Sequence, residues 1–132
     1  MHLNTYFFNI NMKKVISPHV NIYKFPITAI SSIATRITGL YMSGVFVVGG
    51  TYLLSGNKEV IHKYEKMDNF HKKILHSSII IPSTYHTLGG IRHFIWDKYP
   101  SLLKNNKVAR SSYLIFGLTL GISGGLQKMI ET

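Results

Sequence analysis

Three long runs of this chain contain no Lys, Arg, Asp or Glu: residues 37–57 (21 residues), 74–91 (18) and 111–127 (17). A bilayer core about 30 Å thick needs about 20 helical residues, with a range of about 17–25. Each run is therefore long enough to cross once flanking side chains reach back to the interface. Hydrocarbon leaves free backbone groups no partner, so the spans have to be helical. The pattern predicts an all-α membrane protein of three transmembrane helices, at about 27–54, 70–97 and 110–130, with residues 1–16 as a flexible lead-in. Ser55, Gly56 and Asn57 close the first span, and Tyr99, Pro100 and Ser101 follow the second. Pro26 falls at the start of the first helix, where its missing N–H is harmless. Pro82 falls inside the second and predicts a kink there.

The charges set the orientation. With the N-terminus inside, nine basic residues lie on the inner side, Arg36, Arg92 and Arg110 among them, against six outside. That bias favours an inner N-terminus. The net charge of +10 also raises nucleic-acid binding. However, no basic run exceeds two residues and the basic residues flank apolar segments, so membrane-flanking cations fit better and no nucleic-acid partner is expected. The chain contains no cysteine, so it supplies no disulfide, thiolate metal site or iron–sulfur ligand. Its first arginine is Arg36, and no arginine-rich cleavable leader is expected.

Candidate chemistry concentrates in the second helix. Ile79, Ser83, His86, Gly90, His93 and Asp97 recur in steps of four and three and share a face, expected to point inward. Ile81, Leu88 and Ile95 make another face, expected to point at lipid. His86 and His93 are seven residues apart, about 10.5 Å along a helix, too far to hold one ion together. One histidine on a haem iron and the other near the haem edge would suit that spacing. Gly89 and Gly90 would leave room for a flat macrocycle. The competing reading is a packed histidine hydrogen-bonded across helices, although ionisable residues at membrane depth are functional by default. Arg92 is either a propionate partner or a snorkelling cation.

At the start of the first helix, Ser32 and Arg36 share a face. A hydroxyl and a guanidinium there can hydrogen-bond quinone oxygens and stabilise charge that develops on reduction. They can equally satisfy backbone. In the third helix Gly117, Gly121 and Gly125, with Gly124, read as helix packing. Tyr99 and Tyr113 read as interfacial anchors. His2, His19, His62, His71 and His76 are assigned no role.

Taken together, the runs from Ser17 to Lys24 (SPHVNIYK), from Phe25 to Ser32 (FPITAISS), from Arg36 to Gly39 (RITG) and from His86 to Asp97 (HTLGGIRHFIWD) resemble the cytochrome b556 subunit of succinate dehydrogenase. That family is one of the two membrane anchors of respiratory complex II, and the likeness covers roughly residues 17–125. It implies a haem b shared with a second anchor subunit, with His86 as this chain's axial ligand to the iron. His93, Arg92 and Arg36 would lie in the haem surroundings, and Ser32 and Arg36 in a ubiquinone pocket near the iron–sulfur subunit. It further implies a flavoprotein subunit, and a mitochondrial inner membrane or, alternatively, a bacterial plasma membrane. Composition rich in Ile, Lys and Asn favours the mitochondrial setting. A haem-free structural or assembly subunit is the alternative function. Some family members carry histidine just before the arginine, where this chain has Thr35.

Overall fold

A computed structural model describes residues 25–56 and 58–131, the side chain of the last excepted. The lead-in, the run from Ser17 to Lys24, His2 and His19 lie outside the described residues. Three long helices pack side by side: α1 (Ile27–Leu54), α3 (Asn69–Lys98) and α4 (Asn105–Glu131). A short helix, α2 (Glu59–Lys66), interrupts the first connection, and a single 3₁₀ turn (Pro100–Leu102) the second. α3 lies at the centre of the packing, against both α1 and α4.

The helix ends follow from local chemistry. Pro26 caps α1 with extended backbone, and its carbonyl accepts from the amides of Ala29 and Ile30 at 3.0 and 3.3 Å. At the other end Gly56 has a φ of +66°, the left-handed conformation that glycine adopts without penalty, and its amide returns to the Leu53 carbonyl. α3 runs as one helix through Pro82. α4 begins at Asn105, five residues before the start expected from hydropathy. The Lys104 carbonyl already accepts from the amides of Lys107 and Val108 there, so the helix opens in polar sequence ahead of its apolar run.

Two pairs set the antiparallel register of α3 and α4. Arg92 meets Ser112, and Ser77 meets Gln127, a step of fifteen residues along each helix. α1 and α3 meet at two glycines. A Cβ on Gly39 would lie 2.6 Å from Cε1 of His86, and one on Gly89 would lie 2.9 Å from Oγ1 of Thr35. Two glycines thus let the helices meet at the level of His86.

The interior is polar and the exterior apolar. Among the described residues the buried side chains include Ser31, Thr35, Arg92, Ser112, Thr119, Ser123 and Gln127, against only Met42, Tyr85 and Ile115 on the apolar side. Large apolar residues such as Leu40, Phe46, Val48, Leu53, Phe94 and Leu120 are exposed. In water this arrangement would not hold a fold together, because burial of apolar surface is the main driving force there. In hydrocarbon it is the stable one, since polar groups find partners only between helices. α1 and α4 are each long and apolar enough to cross a membrane. α3 has the length, at 30 residues, but its histidines, hydroxyls and Arg92 dilute its apolar character. Two of the three expected spans therefore stand out by composition.

Candidate functional site

The α1–α3 crossing gathers the residues of interest. On α3, Tyr85, Gly89 and Arg92 are the buried positions, spaced four and three apart. They form the face toward α1 and α4. The residues expected to point inward, His86, Gly90, His93 and Asp97, occupy the neighbouring face and are exposed on this chain's surface. Their expected inward orientation is corrected accordingly, by a register shift of one residue. Of the residues expected to face lipid, Ile81 and Ile95 are exposed, and Leu88 is half-buried; Leu88 and Ile95 also line a groove between α3 and α4.

His86 lies at the edge of the crossing with its ring against Gly39. Its Nδ1 is 3.0 Å from the Thr35 carbonyl. A carbonyl can only accept, so Nδ1 carries the proton and Nε2 presents a lone pair. Histidines that ligate metals are commonly fixed in this way, with the second nitrogen donating to a carbonyl or carboxylate. Gly90, one turn further along α3, has open space where a Cβ would stand. The two glycines expected to make room for a macrocycle thus divide the work. Gly89 is filled by Thr35 and serves helix approach, whereas Gly90 leaves its surface free. Among the described residues no three His, Asp or Glu side chains converge on one point. His86 can offer one nitrogen to a metal, as a haem iron completed by another chain would require.

Thr35 is buried, and its hydroxyl donates to the Ser31 carbonyl at 3.0 Å. It both fills the space at Gly89 and holds the histidine. Ser32 and Arg36 stand one position further round α1 from Ser31 and Thr35, half-buried and exposed respectively. They lie at the rim of the crossing, with Arg36 adjacent in sequence to the carbonyl that orients His86. His93 packs edge-on to Trp96, with ring centroids 5.3 Å apart.

The structure does not bring Arg92 to the His86 and His93 face. Its guanidinium turns toward α4, where Nη1 donates to Oγ of Ser112 at 3.0 Å and the group lies over the Trp96 ring at 4.5 Å. Six residues from His86, it points about 120° away around the helix.

Tyr85 carries a role that sequence reasoning passed over. Its hydroxyl donates to the Ser31 carbonyl at 3.2 Å and lies 3.0 Å from Oγ of Ser31, while its ring packs against Phe116 at 5.0 Å. It ties all three long helices together beside His86. The available signal was its place in the series Tyr85, Gly89 and Arg92, which has the same period as the histidine series displaced by one. Beyond the crossing, His76 bonds the Tyr64 hydroxyl at 2.8 Å and His71 bonds Asp68, both at the opposite end of α3.

A bundle of long helices with a polar interior and an apolar surface is the plan of a helical membrane subunit. Residues 10–126 match the family described as the succinate dehydrogenase/fumarate reductase transmembrane subunit, and the chain belongs to that family. The chain is 33% identical over 126 residues to the mitochondrial succinate dehydrogenase cytochrome b560 subunit of Homo sapiens, covering 92% of this chain and 74% of the human protein. The counterpart of Dictyostelium discoideum is 29% identical over 111 residues, covering 81% of this chain and 57% of the relative, so the chain spans little more than half of that protein's length. The cytochrome b560 subunit of Porphyra purpurea is 27% identical over 114 residues, covering 80% and 88%.

Proposed function

We propose that the chain is the haem b- and quinone-binding membrane anchor of succinate:ubiquinone oxidoreductase, residing in the mitochondrial inner membrane. It crosses three times with its N-terminus on the matrix side. A second anchor subunit completes the haem site, and the iron–sulfur and flavoprotein subunits dock on the matrix face. The observation that carries this reading is the oriented His86, whose Nδ1–H is spent on the Thr35 carbonyl.

In this reading haem b, when bound, would supply a one-electron redox centre. His86 would hold the iron through Nε2, with the Thr35 carbonyl fixing the ring and strengthening its basicity. Gly90, which has open space where a Cβ would stand, and His93 would leave room beside the group, and the Arg36 cation could pair with a propionate. Arg92, turned toward α4, takes no part. At the rim, Ser32 donates a hydrogen bond to one ubiquinone oxygen. Arg36 stabilises the negative charge that grows on that oxygen as electrons arrive, ahead of its protonation. The two residues bind and polarise, while the electrons come from succinate by way of the partner subunits.

A succinate-reduced minus oxidised optical spectrum of the purified complex tests the reading. A b-type band that disappears in His86→Ala supports it, and a normal band in that variant refutes His86 as ligand. No band in a complex that still oxidises succinate would favour the haem-free assembly subunit. Arg36→Ala is expected to slow ubiquinone reduction while leaving electron transfer to a soluble acceptor intact. Equal survival of both activities would remove Arg36 from the quinone site.

A further inference from the structure

Arg92 is 6% exposed and has a permanent charge. Of the five N–H donors of a guanidinium, one reaches Ser112, and Nε is buried with no hydrogen-bond partner. No carboxylate among the described residues pairs with it. A buried charge without a counter-charge is strongly unfavourable, so this position calls for an anion from outside the chain.

The space beside it indicates which kind. Arg92 lines a cavity of about 270 Å³ between α3 and α4. At one end stand Trp96, Lys107 and Ser111, next to the turn joining the two helices. Away from that turn the walls are apolar, formed by Leu88, Ile91, Leu114 and Leu118 among others. The cavity falls below the usual range of small-molecule pockets, about 300–1,000 Å³, and suits a single chain segment rather than a macrocycle. Its polar end coincides with the ends of the two charge-free runs at Ile91 and Ser111, which is headgroup level for helices that cross a bilayer. Two cations at headgroup depth above an apolar channel match an amphiphile with an anionic head and an alkyl tail.

We propose that the α3–α4 groove is a binding site for one anionic membrane phospholipid, its phosphate held by Arg92 and Lys107 and one acyl chain laid along Leu88, Ile91, Leu114 and Leu118. The site rests on the membrane placement of α3 and α4 and is independent of the haem and quinone readings, which survive its failure.

The test uses the whole complex in detergent micelles, a phosphatidylglycerol bearing a photoactivatable diazirine on one acyl chain, and mass-spectrometric mapping of the labelled peptides. Labelling is expected on residues 88–118 of the parent complex. Lys107→Gln, a change at an exposed residue, is expected to reduce it about fivefold, the worth of one cation near a charged lipid surface. Leu114→Trp fills the channel with both cations retained and is expected to abolish it. The same diazirine carried on phosphatidylcholine should label about fivefold less. Undiminished labelling in both variants, or equal labelling by the two lipids, overturns the proposal. So does loss of the haem band in Lys107→Gln with lipid labelling unchanged, which would hand these cations to a haem propionate.

Discussion

At the α1–α3 crossing, two glycines with similar surroundings make different demands. A methyl at Gly39 meets the tip of the His86 ring, which can swing aside. A methyl at Gly89 meets Thr35, a β-branched side chain that is buried and already bonded to the Ser31 carbonyl. Gly39→Ala is therefore expected to spare the fold and displace His86, seen as a weakened b-type band in a complex of normal melting temperature. Gly89→Ala is expected to destabilise by about 1–3 kcal/mol, the usual range for overpacking, read as a lowered denaturation midpoint of the solubilised complex. Tyr85→Phe removes the interhelical hydrogen bond to Ser31, an interaction worth about 0.6 kcal/mol on average in a membrane and at most about 1.7. A larger loss in the same denaturation measurement would mean that Tyr85 carries more than packing. That His86 sits at a helix crossing was consistent with both readings the sequence allowed, a metal-holding imidazole and one hydrogen-bonded across helices, and its bond to the Thr35 carbonyl is compatible with either. Which face was buried was not legible. The series through His86 and the series through Tyr85 have the same period, and periodicity marks a face without saying what covers it.

Among the elements, α1 and α4 were legible because uninterrupted apolar sequence of span length leaves little alternative. α2 was not, because its eight residues sit in a charge-balanced connection, with Val60 and Ile61 exposed and Tyr64 half-buried. The α4 glycines at 117, 121, 124 and 125, expected to bring helices together, face away from this chain's own bundle with open space around them. The buried stripe of α4 is instead Ser112, Ile115, Thr119, Ser123 and Gln127. At the N-terminus of α3, Asp68 stands at the cap position and bonds His71. The hydrogen bond from His71 holds the Asp68 carboxyl below its ordinary value; desolvation opposes it, and the nearby His71 charge and backbone hydrogen bonds act in the same direction as the bond. A carboxyl lowered on folding stabilises the folded end above its unfolded pKa, and the contribution fades as pH falls through the lowered value. Amide hydrogen exchange in the first turn of α3 is expected to accelerate under such acid, and Asp68→Asn to remove that pH dependence.

For the molecule as a whole, the absence of native cysteine makes the orientation directly measurable. On the three-span reading, Lys66→Cys lies outside and Ser101→Cys inside. A membrane-impermeant maleimide added to intact mitochondria stripped of their outer membrane is expected to label the first and spare the second. The reverse pattern would invert the chain. The polar interior has a further consequence, for biogenesis. α3 carries Arg92 and four histidines, and ionisable side chains in a membrane-spanning helix are costly to leave facing lipid. Leaving the ribosome alone, α3 is a poor substrate for lateral release into lipid. Its partner for Arg92 is Ser112, on α4, a helix not yet synthesised at that moment. Insertion of the middle helix therefore waits on the last one, and a nascent chain truncated before α4 is expected to be a target for quality-control proteolysis even though its first helix is already in place.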